Sequence, residues 1–465
     1  MQKMKLVVVG NGMAGMRTVE ELLRLAPGLY EITVFGAEPH PNYNRIMLSP
    51  VLAGEKTVEE IVLHPRDWYV QHGITLHTAC RVSAVDRTRR TVRAEAADGR
   101  VVEAAYDRLL LATGSNPFML PVPGAGLQGV VAYRDIADTE AMIAAASTHR
   151  RAVVIGGGVL GLEAANGLAQ RGMQVTVVHT HAWPMDKQLD AEAGALLQRA
   201  LEQRGIAFRL RAHTASLQDD GTGRVRAVCF SDGGDKSAGP PQAFLPPSGG
   251  GAGEARAWGH QDIPADLVVM AVGIRPSVAL AQQMRLHCER GIVVDDTLQT
   301  VTDPRIYAVG ECAQHRGIAY GLVAPLYEQG RVAATHLAQM GIGRYGGSLT
   351  PLRLKVTGIE LFSAGDFMGG EGADTIVLRD PAGGIYRKLV LRNDRLVGVC
   401  LYGDAGEGSW YLDLMRERRP VAELRDQLMF GPPAQPIPPV AEIVTNMTSL
   451  APSQTGRALA AECEI

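Results

Sequence analysis

Cysteine is scarce and scattered in this chain. Cys80, Cys229, Cys288, Cys312, Cys400 and Cys463 are the full set, and no two lie close in sequence. That spacing excludes a disulfide framework, a zinc site of the usual ligand spacing and a local redox pair. Most of these thiols are expected to serve as small apolar side chains of the interior. Basic excess is also missing: the net charge is −3 and there is no lysine- or arginine-rich stripe, so nucleic acid is not an expected partner. No apolar run approaches the ~20 residues that span a bilayer. The first strand begins almost at once, leaving no room for a signal peptide, so no membrane partner and a cytoplasmic location are expected.

What is present is a chain of 465 residues, 46% hydrophobic and 20% charged, too long for one ordinary domain and with ample material for a core. Its 53 glycines suit a fold with many strand-to-helix turns. Gly10, Gly12 and Gly15 follow the apolar run Leu6 to Val9, and Met16, Val19, Leu22 and Leu23 then recur at helical spacing. Strand, glycine turn and helix in that order form a dinucleotide-binding fingerprint. Gly10 permits the tight turn, Gly12 admits a pyrophosphate to the backbone, and Gly15 lets helix and strand pack closely. The helix N-terminus offers free N–H groups and partial positive charge to the phosphates. The alternative is a glycine-rich turn without a ligand.

A second copy strengthens the reading. Arg151 to Ile155 leads into Gly156, Gly157, Gly158 and Gly161, Leu168 continues the apolar face, and a further strand, Gln174 to His179, follows. Two fingerprints imply two bound dinucleotides, one able to stay as a prosthetic group while the other comes and goes.

Around these turns the sequence offers candidate ligand groups. Tyr30 to Phe35 predicts a second strand ending near Glu38, whose carboxylate is placed to accept from an adenosine ribose, or else is a surface carboxylate. Pro39 to Pro50 reads as a polar loop, with Arg45 either beside ligand phosphates or ring or in solvent. Ile74–His77 and Cys80–Asp86 read as strands, and Thr91 to Glu95 and Arg100 to Ala104 as a hairpin turning at Ala97-Asp98-Gly99. The strand Tyr106 to Ala112 ends in Thr113-Gly114, where backbone can pass close to a cofactor, and Ala271-Val272-Gly273 repeats that ending.

The second fingerprint's next strand ends at His179, where an acid would accept from ribose and an arginine would meet a 2′-phosphate. NADH against NADPH is therefore open at this point, and His179 either contacts the adenosine or is simply exposed. From Ser231 to Gln261, glycine and proline break all periodicity, which predicts a long mobile hairpin insertion, a decoration or a partner contact. Its flanks, Val225 to Phe230 and Ala265 to Met270, read as an antiparallel pair. The strand within Thr302 to Gly310 delivers Glu311 toward a helix read over Val323 to Met340, where it meets a ligand's sugar hydroxyl or caps the helix. Beyond about Tyr345 alternating strands predict a small antiparallel domain, and the prolines after Phe430 a linker and tail.

Taken together, these motifs resemble the two-dinucleotide-binding flavoprotein disulfide reductase superfamily over nearly the whole chain up to about Met429. The resemblance implies an α/β fold of two Rossmann-like, glutathione reductase-like domains plus a small C-terminal α+β domain. FAD would occupy a domain of residues 1–118 and 275–344, and NADH or NADPH one of residues 119–274. An interface domain of residues 345–429 and a tail of residues 430–465 would follow. The implied FAD contacts are Gly10, Gly12, Met13, Ala14, Gly15, Glu38, Arg45, Thr113, Gly114, Arg134, Glu311 and Glu328. Those implied for the nicotinamide nucleotide are Gly156, Gly158, Val159, Leu160, Gly161, Glu163, His179 and Gly273, with Glu163 nearest the reacting ring and no metal.

More narrowly, Pro41 to Pro50, Asp186 to Asp190, Tyr320 to Gln329 and Lys355 to Gly365 resemble the N-terminal flavoprotein module of assimilatory nitrite reductase large subunits. Stand-alone electron-transfer subunits of assimilatory nitrate reductase share these features, and rubredoxin reductases do so more distantly. Two departures matter. The loop after Glu38 has no redox cysteine, so thiol chemistry is not expected; and no cysteine-rich iron–sulfur and sirohaem region follows Pro438, so reduction of nitrite by this chain alone is not expected. The implied activity is hydride transfer from NAD(P)H to FAD and onward passage to a docking acceptor. A nitrate reductase catalytic subunit comes first, a rubredoxin or ferredoxin second, in a homodimer or a heterocomplex. The rivals are an oxidase acting on oxygen or a small molecule, and a regulatory nucleotide-binding subunit without turnover.

Overall fold

The strand Met4–Val9 is apolar without alternation because it is covered on both faces, as central parallel strands are. It lies between Arg108–Leu111 and Tyr30–Phe35, with Ile306–Ala308 and Ile74–His77 outside them, and every neighbouring pair is parallel. The computed structural model describes residues 3–231, 262–349, 351–356 and 359–432. The second fingerprint repeats the arrangement. Arg151–Ile155 is flanked by Gln174–Val178 and Leu267–Met270, with Ala207–Arg209 and Val130–Ala132 at the edges, again all parallel. The predicted architecture of two Rossmann-like units followed by an α+β unit is the one found.

Each parallel sheet carries a three-stranded antiparallel companion. In the first half it is Cys80–Asp86, Thr91–Ala96 and Val101–Ala105, with the hairpin where the sequence places it. In the second it is Thr214–Asp219, Val225–Phe230 and Ile263–Pro264, which corrects one expectation. Val225–Phe230 pairs with Ile263–Pro264, while Leu267–Met270 belongs to the parallel sheet. The reason is burial: Leu267, Val268, Val269 and Met270 are all essentially inaccessible, which requires cover on both faces. The insertion read between 231 and 261 lies, beyond Ser231, outside the described residues, as does the tail beyond residue 432.

A second correction concerns Pro39 to Pro50. Instead of a continuous loop, Asn42–Tyr43 pairs with Val62–His64, and Arg45–Met47 forms a 3₁₀ turn capped by Asn44, whose side chain accepts from the Ile46 N–H at 3.0 Å. A helix, Leu48–Ala53, follows and ends at Gly54 in the left-handed region. Pro50 fits because it stands in the first turn, where a missing N–H costs no intrahelical bond. Among the described residues five further helices, Arg66–Gln71, Ile136–Thr148, Ala191–Glu202, Ala279–Gln283 and Gly408–Glu417, have no counterpart in the sequence reading. Ile136–Thr148 begins behind Asp135, which accepts from the Asp138 N–H at 3.0 Å, and Gly408–Glu417 packs beneath the C-terminal sheet.

The C-terminal sheet is antiparallel, in the order Leu352–Val356, Ile359–Gly365, Arg395–Tyr402, Ile385–Arg392, Asp374–Asp380. It rests on the second-fingerprint half. Asp190 caps the helix Ala191–Glu202 through the Ala193 N–H, and it also accepts from the Tyr386 hydroxyl at 2.6 Å and the Lys388 ammonium at 3.1 Å. Among the described residues no helix is long and apolar enough to cross a membrane.

Candidate functional site

The two glycine turns have one geometry. Gly10 and Gly156 sit at φ +111° and +121°, where an L side chain is strained, and an added Cβ would meet a carbonyl oxygen at 2.0 Å (Ala112) or 2.2 Å (Ala271). At Gly15 it would stand 2.8 Å from the Ala112 Cβ, and at Gly161 2.0 Å from the Gly156 oxygen, so the third glycine is what brings helix onto strand. Gly12 and Gly158 differ from these. They are the N-caps of the helices Met13–Leu25 and Val159–Gln170, without a side-chain cap, and an added Cβ would find nothing within 4 Å. Uncapped helix N–H groups beside open space, with Met13, Ala14, Val159 and Leu160 as the first helical residues, form a cradle that suits a pyrophosphate.

Three acids expected at the first site have definite partners. Glu38 accepts from the Tyr43 hydroxyl at 2.7 Å and pairs closely with Arg45. Arg45 is neither free in solvent nor isolated: it also donates to the Arg134 carbonyl at 2.9 Å, and its guanidinium lies 5.1 Å from the centre of the Tyr43 ring. Glu311 accepts from the Ser115 hydroxyl at 2.8 Å and from Arg134 Nη1 at 3.3 Å, with Nη2 close on its other oxygen. The expectation that Glu311 stands at a helix start is corrected. The strand Ala313–His315 intervenes, and the helix Val323–Leu337 begins behind Leu322 without a side-chain cap. Glu311 is instead held by an arginine from a distant segment. Thr113 and Gly114 form the crossing point: the Thr113 hydroxyl donates to the Ser277 carbonyl at 2.8 Å, and the Ser277 N–H donates to the Gly114 carbonyl at 2.9 Å. Glu328 sits on the helix Val323–Leu337 and takes a close hydrogen bond from Ser348, whose Oγ lies 2.8 Å from the Tyr345 hydroxyl.

In the second site Glu163 lies in the first turns of the fingerprint helix and reaches across to the other half. Its Oε2 accepts from the Ser49 hydroxyl at 2.7 Å, and the Tyr133 hydroxyl in turn donates to Ser49 at 3.1 Å. Burial pushes the Glu163 carboxyl above the usual carboxylate range, with the Ser49 bond working against it. Gly273, at φ +111°, is exposed, and its carbonyl accepts from the Phe118 N–H at 2.9 Å.

His179 is mostly buried, so of the two alternatives the sequence left open, adenosine contact or an exposed ring, the exposed ring is the one the structure does not show. Its Nδ1 accepts from the Gly157 N–H at 3.2 Å, and its Nε2 lies 2.9 Å from Asp186 Oδ1. Burial holds the imidazole below the ordinary histidine range, while Asp186 acts in the opposite direction. With His181, these groups have ligand atoms within 4.8 Å of one another. Because His179 already uses both ring nitrogens, the cluster is a hydrogen-bonded one.

Sequence reasoning thus missed Ser49, Tyr133, Ser115, Ser348 and Asp186 as neighbours of the candidate residues. Of these, Ser49 and Asp186 lie inside stretches that carry the resemblance, Pro41 to Pro50 and Asp186 to Asp190. Cys312, next to Glu311, is buried with Sγ 3.3 Å from the Val309 carbonyl, and burial raises its thiol.

This arrangement has many known counterparts. The chain is 47% identical over 423 residues to a nitrite reductase [NAD(P)H] of Bacillus subtilis (strain 168), covering 91% of this chain and 48% of the relative. It is 41% identical over 429 residues to the assimilatory nitrate reductase electron transfer subunit of the same organism, covering 92% and 51%. The chain therefore spans about half the length of these curated relatives. Its fold matches the crystal structure of a covalent putidaredoxin reductase–putidaredoxin complex at a TM-score of 0.76 and 26% identity, covering 96% of this chain and 99% of that one. Residues 352–419 match the rubredoxin NAD+ reductase C-terminal domain. Residues 4–341, which hold both fingerprints, match the pyridine nucleotide-disulphide oxidoreductase model, and the chain belongs to that family.

Proposed function

We propose that this chain is an FAD-dependent NAD(P)H oxidoreductase that takes hydride from the nicotinamide and passes electrons to a docked redox protein in nitrate or nitrite assimilation. The observation that carries the reading is the 2.7 Å hydrogen bond between Ser49, in the segment that follows the first-site loop, and Glu163, on the second fingerprint helix. A bond between the two fingerprint halves supports the reading, because direct hydride transfer needs both cofactors held in one fixed arrangement. FAD, when bound, supplies the ability to accept two electrons together and release them singly.

The chain's own residues align and tune. Gly12 and Gly158 leave the helix N-termini open to phosphate, Glu38 and Glu311 offer acceptors to sugar hydroxyls, and Glu163 faces the second dinucleotide with its hydroxyl support. No nucleophile is required of the protein. The partner is a protein electron acceptor, a nitrate reductase catalytic subunit before a rubredoxin or ferredoxin. The similarity to an assimilatory nitrate reductase electron transfer subunit and to a putidaredoxin reductase supports this.

The test is an anaerobic titration of the FAD-loaded protein with NADH and NADPH, followed by mixing with each acceptor protein. Bleaching of the flavin band by one equivalent of coenzyme, and its return on adding an acceptor, is the expected result. A flavin that neither coenzyme bleaches would overturn the reading. Recovery with oxygen alone, as fast as with any protein, would favour an oxidase.

A further inference from the structure

The strand Gln174–Val178 ends at a histidine, so the acid that normally accepts from the adenosine ribose has no counterpart at that position in the sequence. The fold supplies one from further along. The backbone between Thr180 and Asp190 turns back, fastened by the Met185 N–H on the Gly157 carbonyl at 2.8 Å, and brings Asp186 against the imidazole of His179. His179 in turn lies close against the glycine turn: a Cβ at Gly157 would stand 2.8 Å from its Cγ.

The bonds fix the tautomer. A backbone N–H can only donate, so Nδ1, which receives the Gly157 N–H, is the unprotonated nitrogen, and Nε2 carries the proton and donates it to Asp186 Oδ1. The pair therefore presents a neutral imidazole and a negative carboxylate to the mouth of the turn. Among the described residues the second carboxylate oxygen, Oδ2, meets only the exposed ring of His181, at 3.6 Å and beyond hydrogen-bond distance. Among the described residues it is a spare acceptor, brought back beside the end of the second strand of a dinucleotide fold, where a ribose diol is read.

We infer that Asp186, held by His179, is the specificity-determining carboxylate of the second site and selects NADH over NADPH. The inference rests on the reading of the second fingerprint as the NAD(P)H site. A 2′-hydroxyl donates to Oδ2, whereas a 2′-phosphate brings negative charge against it. Arg209 lies over the Phe230 ring, 3.6 Å from its centre, and Lys187 and Arg211 are exposed.

The experiment is calorimetric binding of ADP-ribose and 2′-phospho-ADP-ribose to the FAD-loaded protein, paired with kcat/KM for NADH and NADPH. The wild-type chain is expected to favour the unphosphorylated ligand about a hundredfold. Asp186→Asn, which keeps the shape and removes the charge, should narrow that ratio at least about tenfold, through weaker binding of ADP-ribose and stronger binding of its 2′-phosphorylated form. His181→Arg, on an exposed side chain that the fold does not need, should narrow it as well by placing a permanent cation beside Oδ2.

A wild-type preference for the phosphorylated ligand, or a ratio that neither variant moves, would overturn the inference. If Asp186→Asn does not fold, the wild-type ratio and His181→Arg decide. Selective binding of ADP-ribose by a protein whose flavin no coenzyme bleaches would leave the selection standing and remove the reductase reading. Binding of neither ligand would remove both.

Discussion

Arg134 closes on Glu311 across the two halves of the molecule, with Nη1 3.3 Å from Oε1 and Nη2 close on Oε2. The same arginine's carbonyl accepts from Arg45, which pairs with Glu38. One line of charge and hydrogen bonds thus runs along the first site from the candidate adenosine end to the candidate sugar-chain end. Both partners of the Arg134–Glu311 pair are largely withdrawn from water, at 20% and 13% side-chain exposure, so breaking it leaves a mostly buried carboxylate unpaired.

Arg134→Leu is expected to lower unfolding stability by about 1–3 kcal/mol and to weaken FAD retention. Arg134→Lys, which keeps the charge and loses the fork, should do less. Urea unfolding of the FAD-loaded and FAD-free proteins checks both. An unchanged midpoint in Arg134→Leu would mean that solvent screens the pair.

The glycines separate fold from ligand. Gly161→Ala forces a Cβ to within 2.0 Å of the Gly156 carbonyl oxygen and should destabilise or unfold the second half. Gly158→Glu meets open space and should fold, keep FAD and lose flavin bleaching by NAD(P)H. Circular dichroism and anaerobic titration of the two variants side by side would show the contrast. Retained bleaching in Gly158→Glu would place the coenzyme elsewhere.

Glu163 predicts a pH effect of defined sign. Its folded carboxyl holds its proton more tightly than the ordinary glutamate, whose value is 4.5, because it is buried. The folded state then binds more protons than the unfolded state as pH rises from that value through the folded one. Stability is lost over that window and stays lower above it. Glu163→Gln removes this loss, so the variant should gain on wild type as pH increases and be no less stable at neutral pH. Ser49→Ala, which strips the hydroxyl support, should raise the Glu163 carboxyl further and move the window upward. Paired denaturation curves across the acidic range test the sign.

Asp296 predicts the opposite slope. Arg316, and after it His315, hold its carboxyl at about 2, below the ordinary aspartate value of 3.8. Its contribution is fully present above 3.8 and is lost as pH falls through about 2. Asp296→Asn should therefore be less stable than wild type near neutrality, and the difference should vanish toward pH 2. A difference independent of pH would assign the effect to lost packing rather than charge.

Legibility followed sequence distance. The strand, glycine turn and helix of each fingerprint lie within a few residues of one another, so their spacing alone carries the geometry that Gly10 and Gly156 later show. The hairpin at Ala97–Gly99 was readable for the same reason. The helix Leu48–Ala53 was not, because Pro50 and the polar residues before it look like a loop until packing against the second half is known.

The sequence by itself determined two strand, glycine-turn and helix fingerprints and the kind of acids available to them. Local sterics at glycine and unbroken apolar runs permit little else. Which residues meet across the fold was decided by tertiary structure alone: Ile263–Pro264 beside Val225–Phe230, Arg134 on Glu311, Ser49 under Glu163, and Asp186 against His179. Those contacts join distant segments or depend on how a loop folds back, and no periodicity records them. Burial selects them, because a charge or hydroxyl taken out of water must find its partner wherever the folded chain brings one.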